Sequence, residues 1–237
     1  MSNHLSSRKP LALLIPGLDG TGLLFYRQVE ALSARYRIRA WNFRRRSRFD
    51  FPGLVEELRE GTEGEEPKSI LVVGESFGGP IALHYVLALP ERVRSLALIN
   101  AFPYYRGRPR IRLICALAPL LRWSAARGVK NWLVDRTLAF EGILPGDRAR
   151  YRRIVQQIDQ HAYRQRLELV KQVDLRAELE KITVPTILFA SGRDKVVASV
   201  REARAMASVI PHAKLHEFPR AGHALLLTPG FSLADYL

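Results

Sequence analysis

Short apolar, β-branched runs alternate along this chain with longer stretches in which apolar residues recur every three or four positions. The runs are Pro10 to Ile15, Arg37 to Phe43, Ser69 to Val73, Val93 to Ile99, Pro185 to Ala190 and Lys214 to Phe218, each closed by small or polar residues. Continuous apolar runs of that length predict strands buried on both faces, and the longer periodic stretches predict amphipathic helices. Helices are therefore expected over Leu23 to Arg35, Leu54 to Glu60, Pro80 to Leu89 and Val200 to Ile210, with a last one entering at Ser232. Alternation of this kind is the sequence form of an α/β fold, a mostly parallel sheet of about six strands with helices on both faces.

The alternation breaks once. From Asn100 to Pro185 the periodicity is helical with no convincing strand, a connection far longer than the roughly 2 to 6 residues usual between a strand and its neighbouring helix. An inserted helical cap over residues 102–182 is expected, with residues 1–101 and 183–237 forming the core domain. At 237 residues the chain has room for one such domain and its insertion. The segment Glu60 to Glu66 is a short acidic, Gly-rich loop ahead of the third strand.

A hydrophobic content of 47% and a charged content of 25% are ordinary globular values and exclude a disordered chain. The polar start, Met1 to Pro10, and the interruption at Pro16-Gly17 do not form a secretory signal, and no stretch reaches the roughly 20 apolar residues of a membrane span. Cys115 is the only cysteine and lies in the apolar run Ile111 to Leu121, which excludes an internal disulfide and reads as a buried thiol. A cytoplasmic location is the expectation that fits.

The candidate chemistry sits where the third strand ends. Ile70-Leu71-Val72-Val73 runs into Gly74-Glu75-Ser76-Phe77-Gly78-Gly79, and Pro80 opens a helix. A G-x-S-x-G pentapeptide between strand and helix holds a serine hydroxyl on a sharp, strained turn at the top of the sheet. Serine is a weak nucleophile without a base, so this reading requires an acid and then a histidine later in the chain. Asp194 follows the strand at Pro185 to Ala190, and His223 follows the last strand within Arg220-Ala221-Gly222-His223. Taken singly, each is an ordinary loop residue or helix cap. Three such residues in the required order, each just past the carboxyl end of a strand, mark a site where open α/β sheets place theirs. The Gly-rich loop Pro16-Gly17-Leu18-Asp19-Gly20-Thr21-Gly22 after the first strand completes it: the N–H groups of Leu18 and Phe77 are the expected oxyanion donors. That loop lacks the Lys-Ser/Thr ending of a phosphate-binding P-loop.

With these four motifs in view, nearly the whole chain resembles the α/β-hydrolase superfamily, in its esterase, thioesterase and acyltransferase branch. The resemblance implies a reduced α/β-hydrolase fold, since the first two strands of the full fold have no counterpart here. It implies Ser76 as nucleophile, His223 as general base and acid, and Asp194 as the group that orients the histidine. It also implies hydrolysis of a carboxylic ester or thioester through an acyl-enzyme, with no cofactor and no metal. Pro16-Gly17 stands where many relatives carry His-Gly. Two alternatives remain beside the esterase: an acyltransferase or lipase-like enzyme at an anionic membrane surface, and a non-catalytic binding protein on the same scaffold.

Charge adds a partner question. The net charge is +14, and residues 102–182 hold 14 arginines and 3 lysines against 8 acidic residues, leaving +9 in the cap alone. Arg44, Arg45 and Arg46 form a second basic cluster on a loop expected at the catalytic side of the sheet. Such polarity would steer an acidic substrate or carrier to the site mouth. The resemblance extends to pimeloyl-carrier methyl ester esterases, which also carry helical caps, and so points to an acidic acyl carrier protein. A solvated basic face is the plain alternative, and peripheral contact with an anionic membrane another. Nucleic acid is disfavoured, for no zinc spacing, RNP-like strand or helix-turn-helix pattern is present. Tyr104 and Tyr105, at the cap entrance, are candidate substrate or partner contacts.

Overall fold

In the computed structural model, residues 9–43, 50–107 and 142–237 are described. The basic cluster at Arg44, Arg45 and Arg46, and the apolar run holding Cys115, lie outside them. Six strands, β1 (Leu11–Ile15), β2 (Arg37–Ala40), β3 (Ile70–Glu75), β4 (Val93–Ile99), β5 (Thr186–Ser191) and β6 (Lys214–Phe218), form one sheet in the order β2-β1-β3-β4-β5-β6. All five pairings are parallel.

The burial pattern explains why the central strands were readable. Every residue of β1 and β3 is buried, because each strand has a neighbour on both sides and helices on both faces. Alternate side chains then feed two cores. Leu11, Leu13, Ile15, Val72, Leu96, Leu98 and Leu188 face one way, and Ala12, Leu14, Leu71, Val73, Ala97, Ile99 and Phe189 face the other. The edge strands β2 and β6 are short, half-exposed and charged, with Arg37 and Arg39 on one and Lys214 and Glu217 on the other.

Six α-helices accompany the sheet: α1 (Tyr26–Ser33), α2 (Phe51–Gly61), α3 (Gly78–Ala88), α4 (Pro145–Gln156), α5 (Gln160–Gln172) and α6 (Ser199–Ala207) among the described residues. Several bounds differ from the periodicity for local reasons. The stretch at Leu23 begins as a 3-10 turn, Leu23–Phe25, before α1. Helix α2 starts three residues ahead of Leu54, because Asp50 caps it by accepting the Gly53 N–H at 2.7 Å and a proline occupies its first turn. Strand β2 stops at Ala40, where Trp41 and Phe43 turn their N–H groups to the carbonyls of Leu14 and Gly20 (2.8 and 2.6 Å). The apolar residues after Ser232 form only a 3-10 turn, Leu233–Asp235.

Strands β4 and β5 are neighbours in the sheet, yet a long inserted segment separates them along the chain. Its described part carries α4, α5 and a 3-10 stretch, Arg176–Lys181, and it enters beside Tyr104, which bridges Asp174. Ala162, Leu167, Leu169 and Val170 of α5 belong to the same buried cluster as Phe77 and Phe102. Helix α5 thus buries its apolar stripe on the sheet layer, which is the contact that brings its side chains to the end of β3. Helix α4 is tied to the core by charge as well. Asp147 pairs with Arg27 at 3.2 Å and accepts from the Tyr26 hydroxyl, while Arg150 lies 3.7 Å over the Tyr26 ring. No helix among the described residues is long and apolar enough to cross a membrane.

Candidate active site

Ser76 follows β3 directly and has φ of +52°, a left-handed conformation uncommon for a residue with a Cβ. Its N–H donates to Ile99 O at 2.9 Å, which keeps the turn registered on β4, and its carbonyl accepts from Gly79 N at 3.0 Å as α3 begins. The turn closes only because Gly78 has no side chain: a Cβ there would run into the carbonyl oxygens of Ile15 and Pro16. Sharp strand-to-helix reversal thus holds the serine between the carboxyl end of β3 and the loop after β1.

His223 and Asp194 reach the same point from the ends of β6 and β5. His223 Nε2 lies 3.0 Å from Ser76 Oγ, and His223 Nδ1 lies 2.7 Å from Asp194 Oδ2. All three predicted residues are therefore brought together in one hydrogen-bonded chain. Asp194 is held in turn, its Oδ1 accepting from the N–H groups of Val196 (2.8 Å) and Val197 (3.0 Å). With Nδ1–H donated to the carboxylate, Nε2 is left as the acceptor facing the serine hydroxyl. Burial alone would lower the His223 pKa; the charge and hydrogen bond of Asp194, aided by Glu75, outweigh it and raise the value above 6.5.

Two groups that the sequence reading passed over support this arrangement. Asn100, fully buried just past β4 with φ of +47°, donates from Nδ2 to the His223 carbonyl at 2.8 Å. Its Oδ1 accepts from Ser191 N (3.0 Å) and from Ser199 Oγ (2.7 Å), so one amide links the ends of β4 and β5 to the histidine loop. Glu75, the residue before the serine, is buried beside the Gly17 amide, and its pKa is raised to about 7 by that burial, which outweighs the opposing influence of His223 and of Gly17.

Leu18 lies in the loop after β1, and Phe77 at the start of α3. That loop is a tight turn closed by Gly20 N to Gly17 O at 3.0 Å, and Gly17 lies against Ser76. Asp19 is buried within it and accepts from Thr21 N (2.9 Å) and Thr21 Oγ1 (2.5 Å). Tyr104 and Tyr105 each contact a neighbouring element. Arg176 stacks 4.1 Å over Tyr104, and the Tyr105 hydroxyl donates to Val196 O at 2.9 Å, bracing the loop that carries Asp194. Among the described residues no three His, Cys, Asp or Glu side chains gather as a metal-ligand set.

A parallel sheet in this order, with a strained serine after β3 and an acid and a histidine after the last two strands, defines the α/β-hydrolase class of fold. The chain belongs to the alpha/beta hydrolase family, whose model matches residues 12–235. It is 24% identical over 245 residues to pimeloyl-[acyl-carrier protein] methyl ester esterase of Vibrio atlanticus, covering 95% of this chain and 92% of that one. It is 26% identical to the protein of the same name from Chromobacterium violaceum, over 92% of this chain and 89% of the other. Among solved structures, a hydrolase from Pseudomonas aeruginosa superposes with a TM-score of 0.78 at 22% identity, covering 91% of this chain and 83% of that chain.

Proposed function

We propose that the protein is a serine esterase that cleaves a carboxylic ester or thioester through an acyl-enzyme, with Ser76, His223 and Asp194 as its catalytic residues. The observation that carries this reading is the unbroken pair of contacts from Ser76 Oγ to His223 Nε2 and from His223 Nδ1 to Asp194 Oδ2. As the hydroxyl attacks the substrate carbonyl, Nε2 takes its proton, and the Asp194 carboxylate stabilises the imidazolium that forms. The N–H groups of Leu18 and Phe77 receive the charge that develops on the carbonyl oxygen. When the tetrahedral adduct collapses, Nε2–H gives its proton to the departing alcohol or thiol. Water then enters, His223 deprotonates it, and a second adduct releases the acid and restores the Ser76 hydroxyl. Residues 102–182 act as the cap that lines the acyl pocket.

We further propose an acyl group borne on an acidic carrier protein as the substrate. Support comes from the names of the two similar esterases, from the +9 charge of residues 102–182 and from the separate basic cluster Arg44, Arg45 and Arg46.

A p-nitrophenyl ester series of increasing acyl length tests the chemistry: turnover by the wild type, lost in Ser76→Ala, is expected together with fluorophosphonate labelling at Ser76. Turnover that survives Ser76→Ala would refute it. The carrier reading predicts that kcat/KM for an acyl-carrier substrate falls with added salt and after replacing Arg44, Arg45 and Arg46 with Glu, while small-ester turnover does not. Unchanged carrier turnover in that variant would rule the carrier out.

A further inference from the structure

Arg166 is among the largest fully buried side chains of the protein, 1% exposed, although it sits on α5 in a segment whose other arginines suggest a solvated face. Burying a guanidinium is costly unless its donors are met. Two of its three nitrogens donate to backbone: Nε to the Leu18 carbonyl at 2.9 Å and Nη2 to the Asp19 carbonyl at 3.2 Å. The group lies so close over the loop that a Cβ on Gly20, whose φ is +69°, would come within 2.5 Å of Nη1 and 2.6 Å of Cζ.

The position of these two bonds matters more than their number. Gly17 to Gly20 form a four-residue turn closed by Gly20 N–H on Gly17 C=O. In such a turn the central peptide, here Leu18 C=O with Asp19 N–H, is the unit that flips between alternative turn types. Arg166 Nε holds that carbonyl, and Nη2 holds the next. The remaining peptide, Gly17 to Leu18, is planar and trans, so its N–H points opposite the carbonyl that Gly20 fixes. The direction of the Leu18 N–H thus depends on the turn staying closed, and the turn is held closed at its other two carbonyls by a side chain 148 residues further along the chain.

We propose that Arg166 is a positioning residue for the oxyanion hole: reaching in from α5, it locks the Leu18–Asp19 turn so that the Leu18 N–H is preorganised toward the reacting carbonyl. This rests on the reading of Ser76 as nucleophile and Leu18 as donor. It makes the seating of α5 a condition of turnover, since substrate binding by the remaining pocket needs no such lock while transition-state stabilisation does.

The test compares Arg166→Met and Arg166→Lys with the wild type and with Ser76→Ala, using p-nitrophenyl acetate kinetics, titration of labelled Ser76 by a fluorophosphonate, thermal unfolding, and affinity for a phenylboronic acid that forms a tetrahedral adduct. Loss of one oxyanion donor typically lowers turnover by ~10² to 10³. Arg166→Met is expected to lose kcat on that scale per labelled site, with KM within about threefold of wild type and boronate affinity falling by the same factor as kcat/KM. Arg166→Lys, which can reach one carbonyl, should fall between. A Met variant with wild-type kcat per labelled site, or with KM raised at constant kcat, overturns the proposal. If the Met variant does not fold, the Lys variant decides: kcat at least about tenfold down with KM preserved supports the lock, and wild-type kcat refutes it. Wild-type turnover in Ser76→Ala would overturn both readings, whereas failure of Arg166 alone leaves Ser76 labelled and active.

Discussion

Replacing Asn100 with Ala removes three hydrogen bonds and one conformational allowance at once. The lost bonds are those from Nδ2 to the His223 carbonyl and to Oδ1 from Ser191 N and Ser199 Oγ, all buried. At a net ~1 kcal/mol each they total about 3 kcal/mol. Asn100 also sits at φ of +47°, where Ala is strained by ~1 kcal/mol. The expected destabilisation is about 4 kcal/mol, large against the ~5 to 15 kcal/mol of a typical domain. Asn100→Gly loses the same bonds without the strain and should recover ~1 kcal/mol relative to Ala. Urea unfolding of the three proteins, with linear extrapolation at equal slope, measures both differences. Kinetics on the folded fraction should show kcat reduced by up to about 10²-fold, because the histidine loop has lost its anchor. A destabilisation below about 1 kcal/mol for Ala, or Ala and Gly variants of equal stability, would refute this account of the amide.

Two further outcomes follow from the site. Asp194→Asn preserves the shape of the side chain but can donate to Nδ1, favouring the tautomer that leaves Nε2 protonated; kcat should fall by about 10⁴ while the unfolding midpoint barely moves, and stopped assays of purified protein check both. Glu75, whose folded pKa is raised from 4.5 to about 7, binds its proton more tightly folded than unfolded. Its contribution to stability is therefore full below pH 4.5 and is lost as the pH rises through about 7, on the order of 3 kcal/mol in total. Glu75→Gln should remove that slope from a series of unfolding curves between these pH values, and an unchanged slope would assign the pH dependence to another group.

What the sequence disclosed and what it withheld differ in kind. β1, β3 and β4 were legible because a strand buried on both faces is a continuous apolar run, and β3 has no other way to satisfy Ile70 to Val73. Ser76, Asp194 and His223 were legible because each follows a strand and carries chemistry in its side-chain type. The end of β2 was not, since the Trp41 N–H still donates to Leu14 of β1 and only the Phe43 N–H leaves the sheet, for Gly20 in the loop after β1. Asn100 gave no signal: its partners stand 91, 99 and 123 residues away, and an Asn after a strand reads as an ordinary turn. Arg166 was concealed by company, one of 14 arginines in residues 102–182 whose summed charge suggested a solvated surface. Counting charge assigned to solvent a guanidinium that burial assigns to two backbone carbonyls.

The adjacency of β4 and β5, with a long segment of chain between them, also sets the order in which this molecule can assemble. β1 to β4 are joined by connections far shorter than the one after β4 and can pair as they are made, bringing Ser76 into its turn. β5 and β6, which deliver Asp194 and His223, must instead find β4 across the whole intervening segment. Closing a loop costs about 1.5 RT ln n, or roughly 4 kcal/mol for n near 90, before the Leu96 to Thr186 register returns any contact. Non-local pairing of this kind is slow relative to local pairing. On the proposed reading of Ser76 as nucleophile, a refolding chain should therefore bury its central strands before Ser76 meets His223, so that recovery of fluorophosphonate labelling lags recovery of secondary structure. The same geometry makes the segment tolerant of length, because doubling it adds only about 0.6 kcal/mol to the closure term.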